Sequence, residues 1–249
     1  MNYYLFRIID GADIEVMQHK LEQKGLTHSF IVEEDASGQI FIGGHAACPI
    51  EQEGALLVET KKAAVDWEEQ WTLFAKDFKE GVAHIQLAEK TLLLKPGPGF
   101  GDLSHPTTYL MIEMMKKWVA NTPVVDIGTG SGILALSALL LGAKSAVGID
   151  IDPAAIEHAR ENAKLNHLQA TFSRQLPARL PKNSLFLMNM IVPEQKLVDP
   201  SQYNQWASLW IVSGILDTQE EKYRQLMHSW GWQILERHSQ SEWLGFVAS

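Results

Sequence analysis

Hydrophobic and polar positions change rhythm twice along this chain of 249 residues. Over residues 1–60, short apolar runs flank a single helical stripe. Tyr4-Leu5-Phe6-Arg7-Ile8-Ile9 reads as a strand, and Ile14, Met17 and Leu21 recur at helical spacing within Asp13 to Lys24, a helix stopped by Gly25. Ser29-Phe30-Ile31-Val32 returns as a strand, and Gln39-Ile40-Phe41-Ile42 pairs with it across Asp35-Ala36-Ser37-Gly38. This β-α-β-β order predicts a small, half-open α+β unit with too little core to stand without docking. Residues 61–95 read as a connector. Trp67 and Trp71 lie one helical turn apart and Phe74 and Phe78 continue the stripe, which predicts a core-facing helix. A hairpin follows, Ala83 to Leu87 and Thr91 to Leu94, turning at Ala88-Glu89-Lys90, and then a loop rich in glycine and proline, Lys95 to Gly101.

From His105 the chain alternates helices with strands. The pattern predicts a helix over Pro106 to Trp118, a strand at Val124 to Ile127, a helix from Gly132 to Leu141, a strand from Ser145 to Ile149 and a helix from Pro153 to Leu165. Strands follow near Ala170 to Phe172, at Ser184 to Met188 and at Leu209 to Val212, then a helix over Asp217 to Trp230 and two closing strands, Trp232 to Leu235 and Trp243 to Val247. Alternation of this kind means a doubly wound, mostly parallel sheet, here of seven strands, and adjacent closing strands mean an antiparallel C-terminal hairpin. The expected organisation is an α+β domain over 1–60, a connector over 61–95 and an α/β domain over 96–249.

Composition removes several classes. With 46% hydrophobic and 20% charged residues the chain is neither disordered nor fibrous. Its longest apolar run, Ile133 to Ala143, is too short to span a bilayer, and the first residues lack a basic, apolar leader, so a cytoplasmic protein is expected. One cysteine, Cys48, excludes a disulfide framework and a cysteine-rich metal site, and no metal is expected. The net charge of −9 is uneven, because residues 1–95 carry 16 acidic against 9 basic side chains (−7) and residues 96–249 carry 14 against 12 (−2). An acidic first part disfavours direct binding of nucleic acid and suits a basic protein partner, although it also serves solubility alone.

The chemistry concentrates at Asp126-Ile127-Gly128-Thr129-Gly130-Ser131-Gly132, between a strand and a helix. Glycines there let backbone approach a ligand, and the helix start offers free N–H groups. A dinucleotide fingerprint needs its third glycine one residue later, where Ile133 stands. Asp126 ahead of the loop suits a ligand with a cationic amino acid part better than a pyrophosphate. Asp150 ends the next strand, 150 − 132 = 18 residues beyond the last glycine, where a carboxylate can take both ribose hydroxyls. Asp152 before Pro153 is the pattern of a helix cap. The ligand that joins a cationic amino acid to a ribose is S-adenosyl-L-methionine; the plainer alternative is a tight turn with two capping acids.

The segment Val124 to Asn166 resembles the PrmA methyltransferases, the lysine methyltransferases of ribosomal large-subunit protein eleven. Gly99-Phe100-Gly101 with His105-Pro106-Thr107-Thr108, then Asn189-Met190-Ile191, Ser213-Gly214-Ile215-Leu216, Glu242-Trp243 and the connector Asp66 to Trp71 resemble further family stretches in the same order. The resemblance covers about residues 66–249, and residues 1–60 share only its general plan. It implies a Rossmann-like class I methyltransferase using S-adenosyl-L-methionine, with a basic ribosomal protein as substrate and the chain acting as a monomer. It implies cofactor contacts from Phe100, Asp126, Gly128, Thr129, Gly130, Gly132, Asp150, Ile151 and Asn189, and catalytic roles for Asn189 and Thr107. Asn189 would accept hydrogen bonds from the attacking lysine amine or an N-terminal amine, or else serve as a turn residue capping the next helix. Two departures stand out. Asp102 and Leu103 replace a threonine and a glycine of the family loop, and Met188 precedes Asn189 where the family has alanine. A different acceptor, or a module that binds the cofactor without turnover, are the other readings.

Overall fold

A computed structural model describes residues 2–9, 11–34, 39–46, 50–62, 77–101, 105–177 and 179–249. The chain divides into two units, Met1–Asp66 and Trp67–Ser249.

In the first unit β1 (Asn2–Ile8), α1 (Ile14–Gln23), β2 (Thr27–Glu34), β3 (Gln39–Ala46) and β4 (Ala55–Lys62) follow in order. The sheet is antiparallel with strand order β2-β3-β1-β4. Tyr4, Phe6 and Ile8 alternate along β1 onto one face, where Met17 and Leu21 of α1 meet them with Ile42 in a small core. Asp13 caps α1 by accepting a hydrogen bond from the Val16 N–H at 3.1 Å. The fourth strand corrects the expected β-α-β-β order. Its Ala-Leu-Leu-Val run lacks period-two alternation, and it forms because β1 offers a second edge beyond the turn at Gly54.

In the second unit β5 (Phe78–Lys79), β6 (Val82–Leu87) and β7 (Lys90–Leu94) make a three-stranded antiparallel sheet. Trp67, Trp71 and Phe74 of the expected helix lie outside the described residues, and Phe78 belongs to a strand, not to that helix. The residues set apart as a connector contribute Ala83, Ile85, Leu87, Leu92 and Leu94 to the main core. Lys90 donates to the Leu140 carbonyl at 2.8 Å, capping the end of a core helix.

The main sheet has seven strands in the order β10-β9-β8-β11-β12-β14-β13, all parallel except β14, which runs antiparallel to both its neighbours. They are β8 (Pro123–Ile127), β9 (Ser145–Ile149), β10 (Thr171–Ser173), β11 (Ser184–Asn189), β12 (Ala207–Leu216), β13 (Ile234–Gln240) and β14 (Trp243–Ala248). The helices are α2 (Pro106–Trp118), α3 (Ile133–Leu140), α4 (Pro153–Leu165), α5 (Val192–Val198) and α6 (Glu220–Ser229). Alternation along the strands feeds two cores. Val124, Leu185, Leu187, Ile211 and Val247 face α2, α3 and the β6-β7 hairpin, and Val125, Phe186, Met188, Trp210 and Val212 face α6 and a tryptophan cluster. A strand buried on both faces reads as a continuous apolar run, which is why Ser184-Leu-Phe-Leu-Met is legible as β11 without alternation. Short α5, absent from the expected elements, starts where Pro193 and Glu194 suit a first helical turn.

Candidate functional site

Parallel strands place their carboxyl ends on one edge, and β8, β9 and β11 deliver there the glycine loop, Asp150 and Asn189. In open α/β sheets this edge is where ligands bind. The N–H groups of Gly128 and Thr129 donate to the Ile149 carbonyl at 2.9 and 2.8 Å, so β8 turns over the end of β9. Gly132 then stands before α3 with φ +83, a left-handed start that only glycine adopts cheaply.

The two acids serve different partners. Asp150 accepts from the Gly130 N–H through Oδ2 and from the Asp152 N–H through Oδ1, each at 3.0 Å. These bonds fix its carboxylate against the loop and leave further lone pairs for a ligand's hydroxyls. Asp152 caps α4 by accepting from the Ala154 N–H at 2.8 Å. Asp126 is fully buried; its Oδ2 accepts from the Thr129 hydroxyl at 2.6 Å and the Ala135 N–H at 3.3 Å, and its Oδ1 has no protein partner. Burial pushes its carboxyl up to about 7 against those two hydrogen bonds, with the Asp150 charge acting in the same direction as burial. An unpartnered buried carboxylate oxygen is costly, so this is a place where a cation would be welcome.

A second loop lies over the first. The Ser131 N–H donates to the Phe100 carbonyl at 2.9 Å and the Ser131 hydroxyl donates to the Gly101 carbonyl at 2.7 Å. A methyl group on Gly130 would sit 2.3 Å from the Phe100 oxygen. At Gly130, then, the close approach that needs glycine is made by the chain's own loop rather than by a ligand. Phe100 itself stays 57% exposed, and Ile151, next to Asp150, is 85% exposed. Two large apolar side chains left open at the rim of a polar loop pair suit a planar, weakly polar ligand group.

His105 caps α2, and its Nδ1 lies 2.8 Å from the Thr107 hydroxyl oxygen. Its ring sits edge-on between Phe100 and Trp243, with centroids 5.5 and 5.1 Å away. Thr107 and Thr108 are both buried, and the Thr108 hydroxyl has no protein partner. Asp102 and Leu103, the departures from the family loop, lie outside the described residues. Asn189 ends β11 half-buried and level with Ser213 of β12. It does not cap α5, whose cap position is Ile191. The chain beyond it is pinned by Gln195, whose amide donates to the Met190 carbonyl at 2.6 Å and the Ser213 carbonyl at 3.0 Å and whose oxygen accepts from Tyr223.

The glycine loop, Asp126, Asp150 and the open apolar rim of Phe100 and Ile151 fit S-adenosylmethionine, which carries an amino acid, a ribose and a purine. The fold and this edge define a Rossmann-like class I methyltransferase that uses S-adenosylmethionine. A family model described as ribosomal protein L11 methyltransferase (PrmA) matches residues 18–249, and the chain belongs to that family. A ribosomal protein L11 methyltransferase of Thermotoga neapolitana is 36% identical over 159 residues, which are 62% of this chain and 60% of that protein. One from Clostridium perfringens is 28% identical over 263 residues, covering 96% of this chain and 83% of the relative. The fold is also similar to the crystal structure of a ribosomal protein L11 methylase from Lactobacillus delbrueckii subsp. bulgaricus, with a TM-score of 0.59 and 27% identity over 70% of this chain and 90% of that one. Among the described residues no helix is long and apolar enough to cross a membrane, and no group of His, Cys, Asp and Glu could hold a metal ion.

Sequence reasoning passed over Gln195 and two residues of α4, His158 and Asn162. Asn162 accepts from the Lys95 N–H and donates to the Ser131 carbonyl, each at 2.9 Å, tying the two loops together. The available signal was polar side chains at i, i+4 and i+8, His158, Asn162 and the C-cap Asn166, on the side of the helix that also carries the buried Ala155, Ala159 and Ala163.

Proposed function

We propose that this protein methylates amine nitrogens of ribosomal protein L11, with lysine side chains as acceptors. The observation that carries the reading is the setting of Asn189. It ends the strand beside the glycine loop, and its successor Met190 packs so closely on Gly128 that a methyl group there would meet the sulfur at 2.5 Å. The cofactor supplies a methyl group on a sulfonium; the chain supplies alignment and a neutral nucleophile. A lysine ammonium sheds its proton more readily in a water-poor site, and the oxygen of Asn189, from amide or backbone, takes hydrogen bonds from the resulting amine. The amine's lone pair would thereby be left free toward the methyl group that the bound cofactor would supply, and the proton given up by the methylated amine would pass to solvent.

In this reading Asp126 faces the cofactor's ammonium through its unpartnered oxygen, Asp150 takes the ribose hydroxyls, and Ile151 and Phe100 enclose the purine. Gly128, Thr129, Gly130 and Gly132 shape the backbone around the amino acid part, and Thr107 lines the methyl's approach from the start of α2. The surplus of acidic side chains over 1–95 suits a basic ribosomal protein. The test is transfer of a labelled methyl group to purified L11, followed by peptide mass mapping. Trimethyl or lower methyl marks on lysines support the reading. Cofactor turnover with another acceptor and none with L11 overturns the substrate part and favours a different acceptor on the same fold.

A further inference from the structure

His158 is buried in α4, outside the set of residues that hold the cofactor in the reading above, yet it grips the loop that forms the site's cover. Its Nδ1 accepts from the Gly99 N–H at 3.1 Å and its Nε2 lies 2.8 Å from the Lys95 carbonyl oxygen. That pair of partners fixes the ring: Nδ1 must carry the lone pair and Nε2 the proton, which is the neutral imidazole. Gly97 passes so close that a methyl group on it would lie 2.6 Å from the ring, so the loop is moulded around the imidazole. One turn on, Asn162 holds Lys95 and Ser131, and one turn further Asn166 holds both backbone groups of Leu93, at 2.8 and 2.6 Å. The three side chains form a ladder on one helix face that carries the chain from β7 to Phe100.

We propose that His158 is a positioning residue for cofactor binding, holding the 95–101 loop against the glycine loop only while its ring is neutral. The proposal rests on the loops being the cofactor site. A proton on Nδ1 replaces an acceptor with a donor facing the Gly99 N–H, so that hydrogen bond is lost and the loop that presents Phe100 loosens. Burial holds the imidazole below its ordinary value of 6.5, against the Lys95 carbonyl and the Glu161 charge, which both favour the proton. The charges around it are few. Lys95 is the only charged residue in 95–101, residues 128–140 of the glycine loop and α3 carry none, and Glu157 and Glu161 flank the ring on α4. The sign follows: with the folded value lowered, the ring is neutral and the clasp intact at pH 6.5, and the clasp opens only as pH falls through that lowered value.

The experiment is calorimetric titration with S-adenosylhomocysteine from pH 8 to 4.5 on the whole chain, beside hydrogen exchange of the Gly99 amide in the free protein at each pH. The wild type is expected to lose affinity on acidification, by at most about tenfold per pH unit for each linked proton, His158 adding its slope below 6.5 to that of Asp126, whose value lies at about 7. His158→Gln keeps a donor for Lys95 and an acceptor for Gly99 without titrating, so its affinity stays near the wild-type value at pH 8 and falls less steeply below it, the remaining slope belonging to Asp126. His158→Ala loses Gly99 protection at every pH. An equal slope in His158→Gln, or Gly99 protection that persists in His158→Ala, overturns the proposal. Absence of homocysteine-cofactor binding at pH 8 with normal Gly99 protection overturns the cofactor reading instead and severs the clasp from it.

Discussion

Replacing Asn162 with alanine isolates the tie between the two loops. The side chain is fully buried, and its removal strips the Lys95 N–H and the Ser131 carbonyl of partners that each stood 2.9 Å away. A buried polar group left unsatisfied costs about 1–3 kcal/mol, so two in neighbouring loops amount to roughly 2–4 kcal/mol once partial relaxation is allowed. That is a large share of the ~5–15 kcal/mol that keeps a domain folded. Asn162→Asp serves as the control. It retains an acceptor for Lys95 but sets an oxygen against the Ser131 carbonyl, so it is expected to recover little of the loss. Urea unfolding at pH 7.5 reads the stability through its midpoint at unchanged slope. Affinity for S-adenosylhomocysteine is expected to fall by about tenfold or more, equivalent to ~1.4 kcal/mol. A stability loss below about 0.5 kcal/mol, the ordinary range of surface substitutions, would refute the reasoning.

Asp126→Asn separates stability from cofactor affinity. The aspartate's value is raised from 3.8 to about 7, so it weakens the fold as pH rises between those limits and most above about 7. Asparagine removes that penalty, and unfolding at pH 8 is expected to need more urea, whereas calorimetry is expected to show weaker cofactor binding; a fall in both quantities would contradict the assigned burden of burial. Tyr223→Phe leaves the Gln195 oxygen without its donor in a buried site and is expected to destabilise by about 1–3 kcal/mol, read by thermal unfolding. Gln195→Leu breaks all the side chain's bonds at once and is expected to lower the turnover rate more than the cofactor affinity, because it frees the Met190 carbonyl beside Asn189. Equal losses in both would place its effect on the whole fold rather than on that loop.

The core domain was readable because its signals are local. Pro153 after Asp152, and Pro106 after His105, mark helix starts through caps that need no tertiary information, and both helices begin there. The buried strands announce themselves by unbroken apolar runs. The edge strand β4 and the short helix α5 were not readable in this way, because neither run shows a period and each depends on a neighbour already in place. The glycine loop was legible as a close approach of backbone, but not what approaches: at Gly130 the partner is Phe100, from a loop thirty residues earlier in the chain. The same distance hid His158, Asn162 and Gln195. Apart from the Tyr223 hydroxyl on Gln195, the partners named for them are backbone groups of Lys95, Gly99, Ser131, Met190 and Ser213, and a backbone partner leaves no mark in residue type.

The most direct test of the whole account is calorimetric binding of S-adenosylmethionine to the wild-type protein and to Gly130→Arg, with folding of the variant checked by circular dichroism. Gly130 has φ +54 and the Phe100 oxygen within 2.3 Å of any side chain placed there, so arginine must push the two loops apart. The account predicts saturable, one-to-one binding in the wild type and none in the folded variant. Equal binding by both, or no binding by the wild type, would contradict it.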